Sequence, residues 1–323
     1  MKIFLTGATG FVGGYFLKKL LSDGHEVISH VRSTTSIKTI EKIGGKYWLG
    51  SLDDIKALQA SLKGCDAVIH CAAYLKFWGS EKDFEDANIT ITKNLLQASK
   101  NTKIKRFIFI SAASVVMNEG RALINISEDQ PYCNLSALPY SRTKAIAEQL
   151  VLSAHSNQFE TIALRPPFIW GNGDAVDKQI GQAANQNQFA WFSGGNYSYA
   201  TCHIHNLSYA VSLALKANLD GSAVFIADKT KMNFREFMSK RLKAGGYKIP
   251  KLSIPSSIAY WFAGLIELIW RRFKIQSNPP LVREMVRLMG YGFSISTSNA
   301  HKLLGYKPAI SVEESLRRIA IKS

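Results

Sequence analysis

The sequence predicts an α/β protein, a doubly wound parallel sheet followed by a smaller, mostly helical part. Three observations carry this reading. Short β-rich runs alternate with helical patterns over the first half of the chain, which is how a parallel sheet covered by helices on both faces is written. A glycine-rich turn joins the first strand to the first helix. After Trp170 the alternation stops.

In order, "KIFLTG" is the first strand and a helix runs to about Asp23. The strands "HEVISHV", "KYWLG" and "DAVIHCAA" follow, then a helix from about Asp83 to Lys100, the strand "RFIFISAAS", a helix around Tyr140, and "TIALRPP". The helix from Asp83 places Phe84, Ala87, Ile91, Leu95 and Ala98 three and four residues apart, one apolar face for the sheet. "GNGDAVDKQ" is loop-rich, "HIHNLSYAVSLAL" reads as a return to the sheet, and the chain beyond Lys229 is mostly helical. The expected division is a dinucleotide-binding part over 1–170 with 199–228 returning to it, and a substrate-binding or lid part over 171–198 and 229–323.

A chain of 323 residues with 46% hydrophobic content can bury a substantial core. The N-terminal stretch meets glycine after six residues and lacks the apolar core of a signal peptide, so the expected location is the cytoplasm. Four cysteines without CxxC spacing predict reduced thiols. "CHIH" at 202–205 crowds its candidate ligands into four residues, and no metal is expected. Between Lys231 and Lys307 stand fourteen Lys or Arg against three acids, Glu236, Glu267 and Glu284, so most of the net charge of +16 lies there. No zinc finger, RNA-binding signature or basic zipper accompanies this charge, which argues against nucleic acid and for phosphate-bearing ligands or an anionic membrane surface.

"TGATGFVG" follows the first strand and opens the first helix, with glycines at 7, 10 and 13. Gly7 suits a tight turn, Gly10 lets the backbone approach a pyrophosphate, and Gly13 lets the helix sit close on the sheet; the anion then lies at the positive helix end. Past the second strand, residues 27–40 contain no acid, and Arg32 stands at the strand end beside Ser33. A free adenosine ribose calls for Asp or Glu at this place and a 2′-phosphate for a cation, so NADP(H) is expected over NAD(H). On a helix, Tyr140 and Lys144 share a face. A nearby ammonium favours phenolate, which would bring the tyrosine towards the working pH for proton transfer, and Lys144 could also hold the nicotinamide ribose.

Together with "HCAA" at 70–73, Asn88 in "ANITITKNLL", "LRPPFIWGNGD" at 164–174 and "LLGYKP" at 303–308, these motifs resemble the extended short-chain dehydrogenase/reductase family over nearly the whole chain. "VRS" at 31–33 and "KFWG" at 76–79 make it most similar to the branch of 3β-hydroxysteroid dehydrogenases, dihydroflavonol reductases and related bacterial reductases. The resemblance implies a Rossmann fold, a nicotinamide cofactor, and a catalytic trio of Ser or Thr, Tyr and Lys, in which Tyr140 and Lys144 carry over. It assigns cofactor contacts to Thr6, Gly7, Thr9, Gly10, Phe11, Val12, Gly13, Cys71, Ala72, Ala73, Asn88 and Lys144, with Pro167, Phe168 and Ile169 lining the nicotinamide pocket. Two places depart from the pattern. Ala112 stands where the catalytic hydroxyl is usual, leaving Ser114, Ser111 or a water for that role, Ser114 preferred. Ser51 stands where an Asp usually meets the adenine, leaving Ser51 and the backbone of Leu52.

Tyr74, Phe77 and Trp78 follow the fourth strand at its carboxyl end, the edge where open α/β sheets bind ligands, and would form an apolar wall for the substrate. In 255–274 a helix carries Tyr260, Gly264, Glu267 and Arg271 in one narrow arc and apolar side chains nearly everywhere else. It is short for a bilayer span. Three readings account for it: a lid over a lipid-like substrate, shallow insertion at a membrane surface backed by Arg271, Arg272 and Lys274, or a homodimer contact. The expected function is an NADP(H)-dependent oxidoreductase acting on a hydrophobic carbonyl or the corresponding alcohol. Sugar-nucleotide epimerases or dehydratases, and a cofactor-binding sensor or assembly protein without turnover, are the alternatives.

Overall fold

The computed structural model describes residues 1–118, 120–230 and 232–321. Seven strands form one sheet: β1 Lys2–Thr6, β2 Glu26–Val31, β3 Lys46–Leu49, β4 Ala67–His70, β5 Arg106–Ile110, β6 Glu160–Arg165 and β7 Ala223–Phe225. Every neighbouring pair is parallel, and the spatial order is β7-β6-β5-β4-β1-β2-β3. Chain order reverses at β1, which opens a crevice at the carboxyl ends of β1 and β4.

Successive strand residues point to opposite faces, and two separate cores follow from that alternation. Ile3, Leu5, Ile69, Ile108 and Leu164 pack under the helices Phe11–Ser22 and Ile204–Ala214 through Phe16, Leu17, Leu207 and Val211; Ala300 and Leu304 of Ser298–Leu304 join them. Phe4, Val68, Phe107, Phe109 and Ala163 face Leu58, Leu62, Leu95, Ala147 and Val151 on the helices Ile55–Leu62, Ile91–Asn101 and Pro139–Ser153. The helix expected from Asp83 is entered through Glu81–Glu85 and one π-helical turn, Asp86–Thr90.

A third cluster, rich in aromatics, contains Trp170, Trp191, Tyr199, Phe234, Phe237 and Phe293. Short parallel pairs, Phe168–Trp170 with Thr201–His203 and Leu123–Ile126 with Phe293–Ile295, knit this region to the end of the sheet. The loop after Trp170 is held by a buried ion pair, Asp174 with Arg241. "CHIH" is likewise structural in its contacts: Cys202 lies in the first core, and Asp228 accepts from the His203 N–H and the Asn206 amide.

The helix Ser256–Arg272 differs from the lid expectation. Its inward face is made of Ser256, Ala259, Ala263 and Glu267, while Ile258, Trp261, Phe262, Leu265, Leu268 and Ile269 point away from the protein. Small residues allow close approach of the neighbouring Arg283–Met289 helix, and Glu267 is tolerated inside because Arg283 satisfies it through its backbone N–H (2.7 Å) and guanidinium (2.8 Å). Among the described residues no helix is long and apolar enough to cross a membrane.

Candidate active site

Gly7, in the turn after β1, has φ +75°, and a Cβ there would stand 2.9 Å from the Ala72 nitrogen. A Cβ on Gly13 would stand 2.2 Å from the Gly7 carbonyl oxygen. Any larger residue at either position would therefore push the helix off the sheet or the β4 end off the turn. At Gly10 the same test meets only the Gly7 oxygen, at 3.4 Å, so its outer side is open. The helix Phe11–Ser22 begins with no side-chain cap and no acid in its first turn. This free, positive helix start beneath an open glycine suits a diphosphate, and the residues fit the dinucleotide the sequence implies.

Thr6 turns inward. Its Oγ1 accepts from the N–H groups of Cys71 (3.1 Å) and Ala72 (3.0 Å) and pairs with His70 Nδ1 (2.8 Å), clamping β1 to β4. His70, which the sequence reading did not single out, continues to Thr92 (3.0 Å); full burial pushes its pKa well down and keeps it neutral. Asn88 also serves the scaffold: its Oδ1 accepts from the Tyr74 N–H (2.8 Å) and its amide donates to Thr143 (3.0 Å). The loop after β4 is thereby pinned to the tyrosine helix, Pro139–Ser153.

That helix buries Tyr140, Ser141, Thr143, Lys144 and Glu148. Such a polar inward face is stable only with partners, and most are present. Glu148 takes Arg165 in a buried ion pair (2.6 Å) and the Tyr132 hydroxyl (2.8 Å). Lys144 donates from Nζ to the Ile110 carbonyl (2.7 Å) and lies 3.8 Å from the centre of the Phe109 ring. Glu284, from the Arg283–Met289 helix, accepts from the Tyr140 N–H (3.1 Å) and from the Ser141 N–H and hydroxyl (2.7 Å each). It is a carboxylate seated on the positive start of the tyrosine helix.

The electrostatics correct one expectation. Lys144 does not acidify Tyr140: burial pushes the phenol pKa up, and Glu284 and Cys71 push it the same way. Burial also lowers Lys144 to about 7, so its ammonium is weakly held and engaged by the β5 carbonyl. Burial raises the Glu284 carboxyl to about 7 against the pull of its three hydrogen bonds.

Around the tyrosine the expected residues are partly gathered. Phe77 meets the Tyr140 ring edge-on at 6.3 Å, and Trp78 lies beneath the Arg271 guanidinium at 5.0 Å. Tyr74 packs edge-on against Phe84 (5.0 Å). Cys71 interacts electrostatically with Tyr140 and Lys144, and burial pushes its thiol up to about 12. Ser111 and Ser114, at the end of β5 and on the following turn, are both buried with hydroxyls that have no hydrogen-bond partner. Pro167, Phe168 and Ile169 are half-buried beyond β6, Phe168 against Phe237.

The adenosine end is more open. Arg32 and Ser33 are exposed after β2, and Ser33 pairs with the hydroxyls of Thr35 (2.9 Å) and Ser36 (3.1 Å) at the start of Thr34–Ile43. Ser51 caps its own turn by accepting from the Asp53 N–H (3.1 Å), while the Leu52 side chain is buried and its carbonyl is held by Asn94.

The fold and site define a Rossmann-type, nicotinamide-dependent oxidoreductase of the extended short-chain class. The model of the 3-beta hydroxysteroid dehydrogenase/isomerase family matches residues 4–256, and the chain belongs to that family. It is 32% identical over 317 residues to a 4-hydroxy-2-methyl-3-oxo-4-farnesyl-3,4-dihydroquinoline-1-oxide ketoreductase of Stigmatella aurantiaca, covering 98% of this chain and 95% of that one. It is 32% identical over 323 residues to a decarboxylating sterol-4-alpha-carboxylate 3-dehydrogenase of Dictyostelium discoideum, covering 97% and 98%. Among solved structures, a UDP-glucuronic acid 4-epimerase from Bacillus cereus in complex with NAD superposes with TM-score 0.74 at 22% identity, covering 100% and 99%, a likeness of fold alone. The chain is an NAD(P)-dependent oxidoreductase acting on hydroxyl or keto groups.

Proposed function

We propose that this protein reduces an apolar ketone, sterol-like or long-chain β-keto, with NADPH, Tyr140 supplying the proton. When bound, the dinucleotide supplies a hydride to the carbonyl carbon. The open helix start at Gly10 would hold its diphosphate, and Arg32 with the hydroxyls of Ser33, Thr35 and Ser36 would hold a 2′-phosphate, where NAD(H) gives that arginine nothing to bind. Lys144 would turn from the Ile110 carbonyl to the ribose. Ser114 or Ser111 would donate to the carbonyl oxygen, which gives an unpartnered buried hydroxyl its missing bond. Phe77 and Trp78 would form the apolar wall.

The observation that carries the reading is the placement of Tyr140, buried at the start of its helix with Glu284 holding its backbone N–H and Phe77 edge-on to its ring at 6.3 Å. A phenol held there can give a proton to the alkoxide formed by hydride transfer, and the relative named as a ketoreductase supports the reductive direction. The relatives named as a ketoreductase and a 3-dehydrogenase support the substrate class. The residues 171–198 and 229–323 would shape the substrate end, and the expected location is the cytoplasm, with contact at the inner face of a membrane as the alternative.

The test is NADPH oxidation with a long-chain β-keto acid and a 3-oxosteroid, the same panel being run with NADH. Tyr140→Phe should lower turnover by about 10²–10⁴-fold while NADPH still binds. Unchanged turnover in the variant would reject the proton role, and a preference for NADH would reject the role of Arg32.

A further inference from the structure

We propose that Glu284 is a positioning residue for Tyr140 that works only as a carboxylate: ionised, it fixes the first turn of the tyrosine helix, and once protonated it releases that turn and the reduction slows. The effect on turnover rests on the reductase reading above; the hold on the helix does not.

The helix Pro139–Ser153 starts with no side-chain cap and no acid in its first turn. Tyr140 is its second residue, at the end of a helix where N–H groups have no acceptor within the helix and the chain frays. The acceptor comes instead from another element: one oxygen of the buried Glu284 takes the Ser141 N–H and hydroxyl, and the other takes the Tyr140 N–H. Glu284 is itself fixed from behind. The preceding residue, Arg283, is held by Glu267 at both its N–H and its guanidinium, so the carboxyl meets the tyrosine helix from a braced position.

Ionisation decides how firmly this grip holds. Two of the three donors are N–H groups, which accept nothing, so a proton added to the carboxyl finds no acceptor in them. A neutral carboxyl also gives up the charge assistance that makes such hydrogen bonds roughly twice as strong, and with it the attraction to the positive helix start. The charged and titratable groups around Glu284 are Arg283 and Arg287 on its own helix, Glu267 on Ser256–Arg272, Tyr140 and Arg142 on the tyrosine helix, and Cys133 before it. Arg142 is taken up by Glu81 and Glu85, and Arg287 lies 5.4 Å over the Tyr291 ring. Burial holds the Glu284 carboxyl up at about 7 against the pull of its three donors, with Glu267 pushing the same way, so the change of state falls near neutrality.

The grip adds an acid limb that a tyrosine donor alone does not give. A phenol that must be protonated loses activity only as pH rises, and Lys144, lowered to about 7 by burial, likewise loses its charge on the alkaline side. His70 and His203 are both pushed down by burial, His203 to about 3, and are already neutral in this range. A carboxylate that must be ionised acts in the opposite sense and removes activity as pH falls. An acid limb in kcat centred near 7 is therefore the mark of Glu284.

The test is the pH dependence of kcat at saturating coenzyme, from about pH 5.5 to about 8.5, with a 3-oxosteroid or ethyl acetoacetate, neither of which ionises in that range. Beside it, hydrogen exchange of the Tyr140 and Ser141 amides is followed by mass spectrometry in the coenzyme-free chain and corrected for the intrinsic exchange rate. For the native chain kcat should fall by about tenfold per pH unit on the acid side, and amide protection should fall by at least about tenfold over the same range. Glu284→Gln keeps the shape and an acceptor but cannot ionise: its kcat should be lower and flat on the acid side, its KM within about twofold of native, and its protection independent of pH. Glu284→Asp keeps the ionisation and should keep the acid limb at a reduced kcat. A native kcat that is flat on the acid side overturns the proposal, and so does an acid limb that persists in Glu284→Gln. Native amide protection that is equal at both ends of the range overturns it whether or not a ketone is reduced. No reduction of either ketone by the native chain would instead sink the reductase reading, and the exchange result would still decide the hold on the helix.

Discussion

Two helices of this chain break the usual burial rule in opposite directions. Pro139–Ser153 turns polar and charged side chains inward, and Ser256–Arg272 turns apolar ones outward. Neither arrangement lowers the free energy of an isolated chain, since buried polar groups must be partnered and exposed apolar surface forgoes burial. On the reading proposed above, the first departure lies where a carbonyl would react; the second leaves an apolar face exposed. Glu284 and Glu267 tie the two places together through the short helix Arg283–Met289.

The contrast implies very different sensitivities. Glu148→Ala strands the buried Arg165 guanidinium and should cost about 3–5 kcal/mol in urea unfolding; a loss below that range would mean that the inward polar face is not held by its ion pair. Glu284→Ala leaves two N–H groups and a hydroxyl at the start of the tyrosine helix without their acceptor, an expected loss of about 1–3 kcal/mol. It should also lower kcat more than it raises KM, because the phenol is misplaced rather than removed; a change in KM alone would make Glu284 a binding residue.

A smaller effect concerns pH. Lys144 is lowered from 10.5 to about 7. Between those values the unfolded chain binds the proton and the folded chain does not, so stability rises with pH across that window and is lost as pH falls towards 7. Lys144→Met should flatten that slope in the coenzyme-free protein, measured as urea midpoints from pH 7 to above 10; an unaltered slope would contradict the lowered value. The smallest effect belongs to the outer helix: Leu268→Ser should change stability by no more than about 0.5 kcal/mol. A larger loss would mean that this face is covered by the chain after all.

The sequence made the sheet and the coenzyme turn readable because both are local. Strand, glycine turn and helix are consecutive, and the steric reasons for Gly7 and Gly13 hold within a few residues and the neighbouring strand. Tyr140 and Lys144 were readable through helical spacing. What escaped depends on distance along the chain. Glu284 reaches Tyr140 across 144 residues, and no pattern near either announces it. Spacing gives a shared face but not where a lysine points, so the direction of the phenol's shift is not legible from it; Lys144 points to β5. Asn88 and Thr6 were expected on the coenzyme, yet their hydrogen bonds lie within the scaffold that shapes its groove. In 255–274 the arc of Tyr260, Gly264, Glu267 and Arg271 shares only Glu267 with the face that packs, which is otherwise Ser256, Ala259 and Ala263; Glu267 finding Arg283 turns that side inward.

In the proposed reduction Tyr140 protonates an oxygen as hydride arrives on its carbon. The most direct measurement is reduction of a long-chain β-keto acid with NADPH carrying deuterium at both C4 positions of the nicotinamide, followed by mass spectrometry of the alcohol. One deuterium on the carbinol carbon is expected with the native chain, and almost no labelled alcohol from Tyr140→Phe in the same time. Unlabelled alcohol, or equal labelling by the variant, would contradict it.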